Sequence, residues 1–474
     1  MAAKQTLFSF SQLGDSSMAL LLRRFRWLLL AIVFIVITFS LFGDVRSTFE
    51  KPTSIPPPPV VKQPTPPIIP ETVKEAWAFD VERDSLNYGL SDDQCESAFP
   101  DLYQELDRAR DFLLNQNLRI KESDLKLDAK GDYTGLQHGE FHAMLSNGEL
   151  YVIRERKGEP DRSRGLAALA NMYRAITAMP NPRELPDVEF IIDIEDQASR
   201  GEKNPERIRW AWAREEKNEW LWVMPDFDGW AYPDDGVGSY TQFREDALEI
   251  ENEYANGWDD KENKLCWRGS LAVNGKLRTG LVETAKGNEW NDVEAIDWHN
   301  RSNILDMRDF CRYKYVAHTE GNSWSGRLRY LHNCNSVPVI HKLDYVFHYH
   351  PLLKDSGPHQ NYVKVNRDWS DLKAQMDGLL ANPDRARQIA QETTKVFRDR
   401  YLTPAAEACY WRRMIHNWRA VMDFEPRRYE TKKDGTKVRR GVSWERFSFR
   451  QKESFEHGFF EPDGGDDDDD DGSK

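Results

Sequence analysis

Between Cys311 and Ile340 the chain reads as a strand, a loop rich in glycine and serine, a helix and a second strand, and this order restricts the fold more than any other feature. A strand that returns through a helix to another apolar strand, here Ser336-Val337-Pro338-Val339-Ile340, belongs to an α/β sheet. The loop meets the helix at Asn322-Ser323-Trp324-Ser325-Gly326-Arg327. Free backbone N–H groups at a helix start favour an anion, and a serine hydroxyl and a guanidinium fork add two further ways to hold phosphate oxygens. The segment therefore outlines a nucleotide-diphosphate site, with Ser325 as an ordinary N-cap and Arg327 as a surface residue the plainer alternative.

The flanking sequence continues the alternation. Apolar spacing through Leu102, Leu106, Ala109, Phe112 and Leu113 predicts a helix, and another is predicted over Gly165 to Ala178. The second leads into Val188 to Ile194, a run too short and too apolar to be other than a buried strand. Strands follow at Leu265 to Trp267, Val293 to Trp298 and Tyr362 to Val365, with a helix at Leu277 to Ala285. Three helices close the folded region, capped by Ser370, opened by Asn382-Pro383-Asp384 and opened by Thr403-Pro404. The last carries Ala408, Trp411, Ile415, Trp418 and Met422 as core. The expected fold is α/β, two Rossmann-like halves with the nucleotide at the carboxyl ends of the second half's strands.

The two ends are of different character. Trp27 to Gly43 is uncharged and apolar, and Arg23, Arg24 and Arg26 precede it, which predicts a transmembrane anchor with the arginine side cytosolic. Proline-rich Lys51 to Pro70 reads as a semi-rigid stalk. Asp466 to Asp471 is a solvated acidic tail, and the net charge of −14, with no basic domain, excludes nucleic acid as a general partner. The expected organisation is a cytosolic tail over 1–26, anchor over 27–43, stalk over 44–75, an acceptor-side half over 76–255, a nucleotide-sugar half over 256–423 and an extension over 424–474. Asn300-Arg301-Ser302 is a sequon that suits a lumenal loop.

Three blocks in order resemble the family 90 glycosyltransferases, which include capsule-associated fungal enzymes and animal protein O-glucosyltransferases. They are the Cys311 to Ile340 unit, the block Cys266-Trp267-Arg268-Gly269-Ser270 with Arg278 downstream, and Ile191-Ile192-Asp193-Ile194-Glu195-Asp196. The resemblance covers about residues 140 to 423 and implies the GT-B arrangement, a cleft between two halves. It places Asp196 at the position of the catalytic base. Arg268, Gly269, Ser270, Arg278 and the run from Asn322, Ser323, Trp324, Ser325 and Gly326 to Arg327 fall at the donor site. It also implies a Cys311–Cys334 disulfide; Cys95 and Cys409 remain able to close the domain's ends, and Cys266 is left as a buried thiol.

Sugar transfer needs a base for the acceptor hydroxyl and positive charge for the departing diphosphate. Asp196 is read as ending a buried strand, with Asp193 further in and alternation turning Glu195 to the opposite face. Guanidinium forks suit paired phosphate oxygens, with Arg268 also able to pair with an acid. A loop containing Gly236 and Gly238 is expected at the cleft, touching donor or acceptor. The leading expectation is an inverting glycosyltransferase using a UDP-sugar, glucose or xylose by resemblance, with no metal cofactor. Its acceptor is a glycan, a protein or a lipid-linked sugar, and its catalytic body is lumenal in the Golgi or endoplasmic reticulum. The terminal Asp-Gly-Ser-Lys, in place of a KDEL-type signal, favours the Golgi. Two alternatives stay open: a metal-dependent transferase using the Asp226-Phe227-Asp228 triplet, and a non-catalytic lumenal glycan-binding protein.

Overall fold

The computed structural model describes residues 77–125, 139–156, 162–198, 207–232 and 237–449. The anchor at Trp27 to Gly43, the stalk, Gly236 and the aspartate tail lie outside the described residues. Among the described residues no helix is long and apolar enough to cross a membrane.

The first sheet begins with a hairpin that the sequence reading passed over. Strands β1 (Glu140–Ser146) and β2 (Glu149–Arg156) are joined by Asn147 and Gly148, both at positive φ, 54° and 80°. Two left-handed residues in a two-residue loop match the right-handed twist of the strands they join. Next come β3 (Val188–Asp193), β4 (Arg209–Ala211), β5 (Ala213–Glu215) and β6 (Leu221–Val223). β1 runs antiparallel to both β2 and β3, whereas β3, β4 and β6 are parallel. The first half is thus a mixed sheet rather than a Rossmann unit, because the Asn147–Gly148 turn reverses the chain where a crossover helix would be needed.

The second sheet is parallel throughout. Its strands are β7 (Glu262–Gly269), β8 (Asn291–Ala295), β9 (Tyr313–His318), β10 (Val337–His341) and, after the short β11 (Tyr345–Phe347), β12 (Val363–Val365), in the order β12-β10-β9-β7-β8. The direction of winding reverses between β7 and β9, and in doubly wound sheets ligands bind outside the carboxyl ends of the strands at such a point. Leu265, Trp267, Tyr315, Ala317, Val337 and Val339 are buried on one face of these strands and Cys266, Val316 and Ile340 on the other, as expected of a parallel sheet covered on both faces. β11 pairs with β5, so the two halves share a two-stranded ribbon.

The Pro404–Arg419 helix, placed by the sequence with the second half, packs instead on the first. Trp418 and Trp411 lie beside Trp210, which stacks on Phe190 at 3.9 Å, and the Trp418 indole donates to Glu189 O at 3.0 Å. The Cys95–Cys409 disulfide ties this helix to the start of the folded body. After the hairpin β13 (Tyr429–Thr431) and β14 (Lys437–Arg439), β15 (Val442–Ser443) adds to the edge of β2, so part of the expected extension completes the first sheet.

Candidate functional site

The segment after β9 forms one rim of the site, at the winding reversal. His341 Nε2 accepts from the Glu320 N–H at 3.0 Å, so its proton sits on Nδ1 and donates to Lys342 O at 2.8 Å. Burial lowers this imidazole to about 4, and it stays neutral at physiological pH. The Glu320 carboxylate accepts from the N–H groups of Asp344 and Tyr345 at 2.9 and 3.0 Å and from Arg367 at 2.7 Å. The Glu320 N–H and carboxylate are thus held from β10 and the residues beyond it.

Arg278, from the Gly275–Ala285 helix, reaches the same turn. Its Nε donates to Glu320 O at 3.2 Å and its Nη1 to Ser270 O at 2.9 Å. Arg327 donates from Nη1 to Arg268 O at 2.5 Å, and its Nε meets no acceptor. Neither guanidinium has a carboxylate partner among the described residues. Burial, and then the charge of Arg327, lower Arg278 from 12.5 to about 10; burial lowers Arg327 as well. Two largely buried cations thus stand close enough to repel each other, with no carboxylate paired to either among the described residues.

Arg268 is committed elsewhere. Its guanidinium pairs with Asp292 at 2.6 Å and donates to the carbonyls of Asn303, Trp267 and Asp292, so its contribution here is the carbonyl that Arg327 grips. A Cβ on Gly269 would lie 2.5 Å from the Trp267 ring, which makes glycine a packing requirement there. Ser323 is buried with an unpartnered Oγ, Asn322 is exposed, and Trp324 is buried against Trp212 and Phe227. The helix that follows has only five residues, Arg327–Leu331, and Gly326 is its N-cap without any side-chain cap, so Ser325 caps nothing. So short a helix contributes little dipole; the charge of the site comes from the arginines.

Asp196 stands across from this loop. β3 ends at Asp193, and Asp196 lies in the bend beyond it, with its side chain 39% exposed. Its Oδ1 accepts from Arg164 at 2.8 Å and its Oδ2 from Asn322 Nδ2 at 3.1 Å. Strand alternation does not govern Glu195, which instead accepts from the Gly139 N–H at 2.7 Å. Asp193 is sealed in the core against Arg209 at 3.0 Å. Gln197 adds donations to Asn322 O and to the Tyr345 hydroxyl. A half-exposed carboxylate from the first half is thus bonded to the same loop that Arg278 and Arg327 flank.

A family model described as glycosyl transferase family 90 matches residues 130–442. The chain belongs to this family. The rat Protein O-glucosyltransferase 1 is 25% identical over 268 residues, covering 51% of this chain and 64% of its own length. The human protein of the same name is 24% identical over 266 residues with the same coverage, and the O-glucosyltransferase rumi homolog of Aedes aegypti is 24% identical over 270 residues, covering 52% and 65%. The chain therefore spans less than two thirds of the length of these relatives.

In this family 90 chain the Asp226-Phe227-Asp228 triplet is buried. Asp226 pairs with Arg329 at 3.0 Å, Arg329 also pairs with Glu407 at 2.8 Å, and Asp228 lies beneath Gly326. The Cys311–Cys334 disulfide closes the unit that carries the loop, and Cys266 is a buried thiol that burial raises to about 12. Gly238 has φ 73° with open space around it, and its carbonyl accepts from the Tyr232 N–H at 3.1 Å. Arg164, Glu320 and Arg367 went unnoticed in the sequence. An acid immediately before the loop glycine Gly321 was the readable sign of Glu320; Arg164 left none, since only the fold sets it against Asp196.

Proposed function

We propose that this chain is an inverting glycosyltransferase that moves a sugar from a UDP-sugar to a hydroxyl acceptor. The observation that carries the proposal is the pair Arg278 and Arg327, two cations without carboxylate partners at the carboxyl ends of a parallel sheet where its winding reverses. A diphosphate supplies the missing counter-charge, and the same cations stabilise it as it leaves. Asp196 acts as the base. Arg164 and Asn322 orient its carboxylate, and it takes the acceptor proton as the oxygen attacks the anomeric carbon from the face opposite the diphosphate.

The relatives' names support glucose as the transferred sugar and a protein as the acceptor; xylose as donor sugar, and a glycan or a lipid-linked sugar as acceptor, are the next candidates. Two sheets, one bringing the base and the other the donor loop, suit a GT-B cleft. The apolar run Trp27 to Gly43 after three arginines supports a lumenal catalytic body anchored in the Golgi or endoplasmic reticulum. In this reading the leaving charge is met by arginines, so EDTA leaves turnover intact. The test is release of UDP by the full chain from a panel of UDP-sugars offered with hydroxyl acceptors. Donor binding that depends on manganese, or no binding of any UDP-sugar, refutes it.

A further inference from the structure

Asp228 closes the turn after β6, and both of its carboxyl oxygens are sealed from solvent with no hydrogen bond of good geometry, the Tyr330 hydroxyl being the neutral donor beside them. Around it lie Asp226, Arg329, the Tyr330 hydroxyl and Arg164. Asp226 is held by Arg329, which Glu407 holds in turn, so the fixed ion pairs of this cluster pass Asp228 by. The backbone of Gly326 passes close over it. A Cβ built on Gly326 would stand 1.7 Å from Asp228 Oδ2 and 2.5 Å from its Cγ. Gly326 is the residue where the loop from Asn322 turns into the helix, and Arg327 is the next residue.

A buried carboxyl outside every ion pair and without a well-formed hydrogen bond is costly, and an apolar side chain would fill the space more cheaply. What this carboxyl does occupy is the volume of a side chain at Gly326. We infer that Asp228 is a positioning residue for the donor: its carboxyl sets the depth at which the loop turns at Gly326, and hence the direction in which Arg327 leaves the backbone. The inference rests on the donor-site reading above. It gives the buried triplet a role through shape, exerted by the first half of the molecule on a phosphate-binding arginine of the second.

The contact can be tested by exchanging volume between its two sides, with UDP affinity of the full chain measured by calorimetry and folding checked by thermal melts. Gly326→Ala drives a methyl into the carboxyl and lowers UDP affinity by about tenfold or more, within the range of coupled contacts. Asp228→Ala opens the space and lowers it by a similar factor, with the loss in donor KM rather than in kcat. Asp228→Asn keeps the volume and stays within about threefold of wild type. The double variant, in which the new methyl occupies the vacated volume, regains affinity to within about threefold. A double variant as weak as the two losses combined overturns the inference. If Gly326→Ala does not fold, the Asp228 pair decides alone, and Asp228→Ala binding UDP like wild type overturns it. A wild-type chain that binds no UDP speaks against the donor site itself, whereas binding lost in Arg327→Ala but untouched in Asp228→Ala refutes only the role of Asp228.

Discussion

Replacing Arg278 or Arg327 by alanine should separate donor affinity from stability, because both cations are strained in the free protein. Arg278 is lowered from 12.5 to about 10 by burial and by Arg327, which at about 1.4 kcal/mol per pH unit is roughly 3 kcal/mol held against its charge. Against this stand its two bonds to carbonyls, at about 0.5–1.5 kcal/mol each. The sums nearly cancel, so Arg278→Ala should change the stability of the free protein by no more than about 1–2 kcal/mol in either direction. Arg327, with one such bond and an unpartnered Nε, should lose still less. Binding is different, since each lost phosphate contact costs about 1.5–3 kcal/mol, or about ten- to a hundredfold in affinity. Removing either cation also relieves the other, and the double variant gains that relief only once, so it should lose more stability than the two single losses added. Melting curves with and without UDP, together with calorimetric titration, read both quantities. A variant that is strongly destabilised yet binds UDP with wild-type affinity would show these arginines to be structural, and the reasoning would fail.

Asp196→Asn keeps the bonds from Arg164 and Asn322 but cannot accept a proton, so turnover should fall by about 10²–10⁴-fold while UDP-sugar affinity changes only a few fold; near wild-type turnover in a folded variant would exclude this base. Arg329→Met leaves Asp226 and Glu407 buried without their shared cation and should cost about 3–5 kcal/mol in denaturant unfolding, and a loss below about 1 kcal/mol would contradict the buried pairing. Burial and then the neighbouring Asp226 raise Asp228 from 3.8 to about 8, so the folded chain keeps a proton that the unfolded chain releases. That contribution is present below pH 4 and is lost as pH rises to about 8, so Asp228→Asn should gain melting temperature over wild type at pH 9 relative to pH 4. An equal difference at both pH values would mean that the carboxyl is not held protonated.

The second half was legible because its code is local. Parallel strands buried on both faces read as short apolar runs, and Val337 to Ile340, Leu265 to Trp267 and Tyr362 to Val365 all became strands within a few residues of the expected bounds. The first half was less legible, although its Asn147–Gly148 hairpin carried a strong turn signal. The three-residue strands β4, β5 and β6 carry too little periodicity to be seen, and the Pro404–Arg419 helix was assigned by sequence order when its tryptophans pack across the chain. At the site, residue type pointed to Arg278 and Arg327, but nothing local separates them from Arg268. All three are arginines beside glycine or apolar residues, and only the fold gives Arg268 a carboxylate in Asp292.

The same distinction explains how the two halves are kept in register. Asn322 bonds Asp196 through its side chain and Gln197 through its carbonyl, while two turns of chain later Arg329 reaches back to Asp226 and Glu407. Between these two ties lie Gly326 and Arg327. A loop free at one end could let a phosphate-binding arginine drift relative to a base on the other sheet, and errors of about 1 Å in such geometry cost rate steeply. Tied at both ends to the half that carries Asp196, the loop cannot move without moving toward or away from that carboxylate. Separation of the halves would break the Asp196–Asn322 bond at the exposed face first, since the Arg329 pairs are sealed in the core and costly to open. Opening of a cleft, if it accompanies exchange of donor and product, should therefore hinge on the buried cluster and part at Asp196.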